Sequence, residues 1–332
     1  MTLVAASLPS RPASAMISCV IPAYNESANI KRFLHVLHEE LCKHSAHVEM
    51  IVVNDGSRDD TAAQVLLASQ QLPVKLIDFS RNFGKEAALT AGIDHAEGDA
   101  VILIDADFQH PVETVSAFME QWRAGFDMVY GVRTDRAEET GIKRSGVKMF
   151  YWLIDRMASV DLPADAGDFR LLDRSVVLAL RQLPERGRFM KGLYSWVGFR
   201  STAVPFQVQQ REAGESSFTF KQLWHLAMTG LVSFSDLPLR MWSVIGLVIS
   251  GLSFVYALWV IAKTMLFGAD TNGWPTIVVA IMFFGGVQLI SVGVLGEYIA
   301  RIFNEVKQRP NYLVRGFHGF EKLPLTMPVD HE

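Results

Sequence analysis

The sequence predicts an α/β fold with a parallel sheet covered on both faces, in a chain whose last third enters a membrane. Short apolar runs alternate with amphipathic stretches of helical length from Met16 to about Val132. These runs are continuously apolar, as strands buried on both faces are. Hydrophobic residues make up 50% of the 332, with a mean hydropathy of +0.20, and the excess lies after Arg240.

Residues 1–15 predict a disordered tail: LVAASL is too short for a secretion signal and no basic residue precedes it. Strands are predicted at ISCVIPA, VEMIVV, VKLIDF, AVILID and DMVYGV. After the first strand, Ile30, Phe33, Leu34, Leu37 and Leu41 recur at three- and four-residue spacing and predict a helix. Ligands of such sheets bind at the carboxyl ends of the strands, where PAYNES, NDGSRDD, FSRNFGK and DADFQHP follow the first four.

The second half changes character. MWSVIGLVISGLSFVYALWVIA carries no charge before Lys263, and Trp274 to Gly296 carries none. Each exceeds the roughly 20 residues that cross a bilayer core. They predict a transmembrane hairpin over 241–303, with spans at about 241–263 and 274–298. Lys221, Arg240, Arg301, Lys307, Arg309 and Arg315 flank its open side and only Lys263 its loop, which places both termini in the cytoplasm. Residues 216–240 mix Phe218, Phe220, Leu223 and Trp224 with Lys221 and His225 and predict interfacial helices. This leaves 16–215 as a cytosolic domain and 304–332 as a cytosolic tail.

A net charge of -4 and a pI near 6.2 provide no basic field for nucleic acid. Cys19 and Cys42 form neither a metal-ligand spacing nor a disulfide framework. Asp105 and Asp107, one residue apart after an apolar run, are by themselves either a metal-nucleotide site or a solvated strand end.

Six segments taken in order remove that ambiguity: PAYNE (22–26), VVNDGSRDDT (52–61), SRNFGKEAALTAG (80–92), DADFQHP (105–111), GDFRLLDR (167–174) and REAGESS (211–217). Together they resemble the polyprenyl-phosphate glycosyltransferases, relatives of dolichol-phosphate mannose synthase, and most of all the bactoprenol glucosyltransferases. The likeness runs from about residue 16 to 315. It implies a Rossmann-like nucleotide-diphospho-sugar transferase domain of the GT-A type that is metal-dependent and inverting. It further implies transfer of a hexose, glucose from UDP-glucose first, to undecaprenyl phosphate at the cytoplasmic face of a bacterial inner membrane, for modification of cell-surface glycans. Other donors (UDP-GlcNAc, UDP-galactose, an aminoarabinose derivative, GDP-mannose) and a non-catalytic nucleotide-sugar-binding scaffold are the alternatives. Relatives suggest a homotetramer, with a flippase as a further partner.

The resemblance also assigns residues. Asp55, an acceptor-only group on a strand end, can pair a uracil N–H or a ribose hydroxyl. Pro22, Tyr24 and Glu26, with Val53, Asp105 and Ala106, complete the nucleoside pocket. Asp107 holds Mg²⁺ or Mn²⁺, Asp105 holds ribose or a metal-bound water, and Gln109 adds an amide oxygen. His110 reads as a turn residue, since hard ions prefer oxygen. Asp168 stands at the position of a base or acceptor-orienting residue. A phosphate monoester, with a second pKa of about 6, is mostly dianionic at neutral pH, so orientation is the role expected of it. Arg133, Arg211, Arg188 and Lys191, with Arg186 beside them, lie in stretches that face phosphates. Relatives often carry a lysine where this chain has Ser217, and Lys221 is a candidate substitute.

Overall fold

All five predicted strands form, and three further segments join them in one sheet. The computed structural model describes residues 11–12, 14–134, 166–208 and 273–320, with scattered positions between 246 and 267. The elements run β1 (Ile17–Ala23), α1 (Ile30–Cys42), β2 (Val48–Asn54), α2 (Thr61–Ala68), β3 (Val74–Phe79), α3 (Lys85–His95), β4 (Ala100–Leu103), α4 (Thr114–Arg123) and β5 (Met128–Arg133). Then come β6 (Ala166–Asp173), α5 (Arg174–Arg181), α6 (Met190–Trp196), β7 (Ser201–Phe206), α7 (Trp274–Val306) and β8 (Val314–His318).

The strands make one sheet in the order β7-β5-β6-β4-β1-β2-β3-β8. Strands β1 to β4 are mutually parallel, as predicted, so their carboxyl ends share one edge. The sheet as a whole is mixed, which corrects the all-parallel expectation: β6 runs antiparallel to both β4 and β5, and β8 antiparallel to β3. A strand buried on both faces reads as the same apolar run in either direction, so its polarity was not legible.

Each face of the sheet has its own core. Cys19 and Ile21 join Phe33, Leu37, Phe118 and Trp122 under α1 and α4. Val20, facing the other way, joins Leu89, Ile93, Val176, Leu180 and Leu193 under α3, α5 and α6. Packing there is close: a Cβ on Gly92 would lie 2.1 Å from the Val20 side chain, so only glycine lets α3 approach β1 this far. Burial pushes the Cys19 thiol's pKa well up, leaving it an inert core group, while Cys42 is exposed.

Both predicted tails contribute to the domain where they are described. Arg11, within the predicted N-terminal tail, pairs with Asp127 at 2.7 Å and with Asp173, its guanidinium 5.3 Å from the Trp122 ring centroid. In the predicted C-terminal tail, Val314–His318 is the edge strand β8; paired on one side and half exposed, it lacks an apolar run.

The membrane prediction stands in coarser form. Helix α7 begins at Trp274, as the second span does, but continues to Val306. Within it Phe283–Val306 is long and apolar enough to cross a membrane, and none of its most apolar stretch is buried. Among the described residues it is the one such helix, so the structure supports one span and not the predicted pair. The first span, 241–263, lies mostly outside the described residues; those described within it are helical. Residues 216–240, with Lys221, lie outside entirely.

Candidate active site

At the carboxyl edge, the loops after β1 and β2 are bonded to each other. Asn25, at a positive φ of 56° that asparagine tolerates, accepts from the Arg58 N–H (2.9 Å) and donates its own N–H to Ser57 (3.0 Å). The Glu26 N–H donates to Thr61 Oγ1 (2.9 Å) and the Ser27 N–H to Asp59 (3.1 Å). Pro22, Tyr24 and Glu26 line this edge beside buried Val53; Tyr24 is 43% exposed, an open ring face next to the site.

Asp55, expected to pair a uracil N–H or a ribose hydroxyl, is bonded within the protein. Its two carboxylate oxygens accept from the backbone N–H groups of Phe83 (2.7 Å) and Gly84 (3.0 Å) and fix the loop that opens α3. Burial raises its pKa against those bonds. Gly56 completes the crossing: at a φ of 64°, a Cβ there would meet the Arg81 carbonyl carbon at 2.2 Å, so the β3 loop lies directly over it.

This loop delivers Lys85, the site residue that motif reading passed over. Its ammonium lies 2.7 Å from Asp105 and 3.1 Å from Asp168. Asp105 and Asp168 both reach Lys85 because β6 runs antiparallel to β4, with Leu103 opposite Arg170 at the end of the paired stretch. The readable signal was a lysine in the first turn of a helix, where its charge opposes the macrodipole and needs anionic partners. Both carboxylates raise the Lys85 pKa against desolvation. Burial alone would push Asp168 up, but Lys85, Lys191 and Arg170 outweigh it and hold its carboxyl below the usual range.

Strand β4 stops at Leu103, so Asp105, Ala106 and Asp107 sit in a turn and not in alternation along a strand. Asp107 is 8% exposed and accepts from the Gln109 N–H at 3.1 Å. Between them Phe108 has a φ of 57°. A left-handed bulky residue costs about 1–2 kcal/mol, offset here by edge packing on Phe33 at 5.2 Å and by Arg32 over its ring at 5.1 Å. His110 packs against Phe169 (4.8 Å) and Phe206 (5.5 Å), and desolvation lowers its imidazole pKa. Among the described residues no three His, Cys, Asp or Glu side chains gather as a protein-only metal cage.

Behind Asp168 lies a buried polar layer. Arg170 stacks on the Tyr194 ring at 3.7 Å and donates to the Gly167 carbonyl at 2.5 Å. Glu86 accepts from the Met190 N–H at 2.9 Å, and burial with Asp168 nearby pushes its pKa up to about 7. Asp168 Oδ1, Arg170 Nε, Arg188 Nη1 and the Tyr194 hydroxyl are buried without a protein partner. Arg186 is turned to the Arg309 carbonyl and Arg188 to those of Leu183 and Glu185. Arg133 is exposed at the end of β5, and Arg211 and Ser217 lie outside the described residues.

Known proteins resemble this chain along most of its length. Residues 18–180 match the model of glycosyl transferase family 2. An uncharacterized glycosyltransferase of Synechocystis is 49% identical over 310 residues, covering 93% of this chain and 98% of its own. A prophage-derived bactoprenol glucosyl transferase of Shigella flexneri is 45% identical over 304 residues, covering 91% and 98%. An uncharacterized glycosyltransferase of Bacillus subtilis is 41% identical over 305 residues, covering 92% and 94%. With identities this high over nearly the full length of each relative, the chain belongs to glycosyl transferase family 2.

Proposed function

We propose that this protein moves glucose from UDP-glucose onto undecaprenyl phosphate at a membrane surface, inverting the sugar's anomeric centre. The observation that carries the reading is the Lys85 bridge, which joins the Asp105–Asp107 turn to Asp168 in one site. The 45% identical Shigella relative supports the bactoprenol acceptor and the glucosyl group, and exposed α7 supports a membrane setting.

Asp107 and Asp105, two hard carboxylates with no soft ligand beside them, fit Mg²⁺ or Mn²⁺, which take one or two carboxylates and fill the rest of the shell with water and diphosphate oxygens. Such an ion, when bound, supplies neutralisation of the charge on the departing nucleoside diphosphate. The chain's own groups do the rest. Asp168, ionised at neutral pH, orients the acceptor and is a poor proton acceptor. The acceptor phosphate needs no deprotonation: its oxygen bonds to the sugar C1 as the C1–O bond to the diphosphate breaks on the opposite face. Lys85 and Lys191 supply positive charge close to that exchange and lower the repulsion between two anionic substrates.

The test uses purified protein in vesicles with undecaprenyl phosphate and a panel of labelled UDP-sugars. Label from UDP-glucose is expected in the lipid fraction, to disappear with EDTA and to return with Mg²⁺ or Mn²⁺. No lipid-linked product from any donor overturns the reading, and transfer indifferent to EDTA overturns the metal role of Asp107.

A further inference from the structure

The segment that carries Arg188 and leads to Lys191 is gripped by two carboxylates from opposite sides. On one side Glu305, in the last turn of α7, accepts with a single oxygen, Oε1, from the backbone N–H groups of Arg186 (2.9 Å) and Gly187 (3.2 Å). The Arg186 guanidinium returns the contact by donating to the Arg309 carbonyl just past the helix. On the other side Glu86, next to Lys85, accepts from the N–H of Met190, which opens α6. Arg188 lies between these two grips, and Lys191 directly follows the second.

The end of α7 is itself fixed to the sheet. Tyr312 stacks on Phe79, with ring centroids 5.0 Å apart and planes 14° from parallel, and its hydroxyl donates to Asp94 at 3.2 Å. Two residues later β8 pairs with β3, and Arg315 reaches the Ser80 carbonyl at 3.1 Å. The helix has 33 residues; at about 1.5 Å per residue it is ~50 Å long, against a bilayer core of ~30 Å. If its charge-free stretch from Trp274 to Gly296 spans that core, the last turns stand clear of the lipid and present Glu305 at the membrane surface. The loop bonded there carries Arg188, whose Nη1 is buried without a protein partner, and leads to α6, which carries Lys191 and the unpartnered Tyr194 hydroxyl.

Resting on the function proposed above, we infer that Glu305 is a positioning residue: it ties the membrane helix to the 185–191 segment and so sets Arg188 and Lys191 for the phosphate of a lipid-borne acceptor. The apolar helix is then a working part of acceptor binding as well as an anchor. Loss of the Glu305 carboxylate leaves the Arg186 and Gly187 N–H groups without their acceptor and frees the loop.

The experiment compares the full chain and its variants in vesicles, with undecaprenyl phosphate varied at saturating UDP-glucose. Glu305→Ala is expected to raise the KM for the lipid acceptor about tenfold, the equivalent of about 1.4 kcal/mol from two lost hydrogen bonds. Its kcat and its Kd for UDP-glucose stay near wild type. Glu305→Gln keeps an oxygen able to accept both N–H groups and restores most of the acceptor KM. Gly187→Pro removes one donor from the other side, where a Cβ meets nothing within 4 Å, and raises the same KM by a smaller factor. An unchanged acceptor KM in Glu305→Ala or in Gly187→Pro overturns the inference, as does a parallel fall in kcat and UDP-glucose binding. A wild-type enzyme that makes no lipid product overturns the underlying function instead, so the two failures are distinguishable.

Discussion

The proposed nucleotide end and the proposed acceptor end of the site share one sheet edge and are built on opposite principles. At the ends of β1 and β2, Asn25, Glu26, Ser27 and Asp55 spend their hydrogen bonds on neighbouring loops. At the start of β6 and around α6, Lys85, Glu86, Asp168 and Arg170 form a dense set of charges, and Asp168 Oδ1 and Arg170 Nε lack protein partners. Buried charge without full pairing is costly, and it is tolerated where a substrate supplies the missing charge. The first region is closed by its own hydrogen bonds; the second holds buried polar atoms that the protein itself leaves open.

Substitutions separate the two. Gly56→Ala attacks the scaffold and has the largest expected effect: the left-handed backbone and the clash with Arg81 together cost roughly 3 kcal/mol, read as a lowered midpoint in chemical denaturation. A variant as stable as wild type would show that the β3 loop does not rest on that glycine. Asp168→Asn attacks the acceptor end. If Asp168 orients the acceptor, transfer falls roughly 10- to 100-fold, about 1.4–2.7 kcal/mol, with UDP-glucose binding intact. Complete loss of transfer with donor binding intact would assign Asp168 a proton-transfer role instead.

Glu86→Gln reads out in pH rather than in rate. The folded pKa of Glu86 is pushed up to about 7 from an ordinary 4.5, so its neutral form is the one the fold favours. Its stabilising contribution is fully present below about 4.5 and is lost as pH rises through about 7. Glutamine does not titrate. The melting temperature of the variant should therefore gain on wild type across that window and hold the gain above it. A difference constant with pH would mean that Glu86 is not the group titrating there.

Legibility followed the same division. Strands β1 to β5 showed in hydropathy because they are continuous apolar runs over two-sided cores. Asp105, Asp107 and Asp168 were found through their segments, but their union was not: it depends on β6 running antiparallel to β4, and direction leaves no mark on a strand buried on both faces. That Asp55 also holds the loop before α3 was not legible, since a lone carboxylate at a strand end carries no mark of its backbone partners. Lys85 lay within a quoted segment and was passed over, though a lysine opening a helix was its own clue. Arg11 and β8 were read as tails because a single ion-paired arginine and a five-residue edge strand make no periodic pattern.

The central claim is that Lys85 joins the Asp105–Asp107 turn and Asp168 into one catalytic unit, and Lys85→Met tests it most directly. The variant's affinity for UDP-glucose and its rate of glucose transfer to undecaprenyl phosphate are measured on the same preparation. The account predicts donor binding within a few-fold of wild type and transfer reduced by about 100-fold, some 2.7 kcal/mol of lost transition-state stabilisation. Transfer at the wild-type rate in a variant without this ammonium would contradict it.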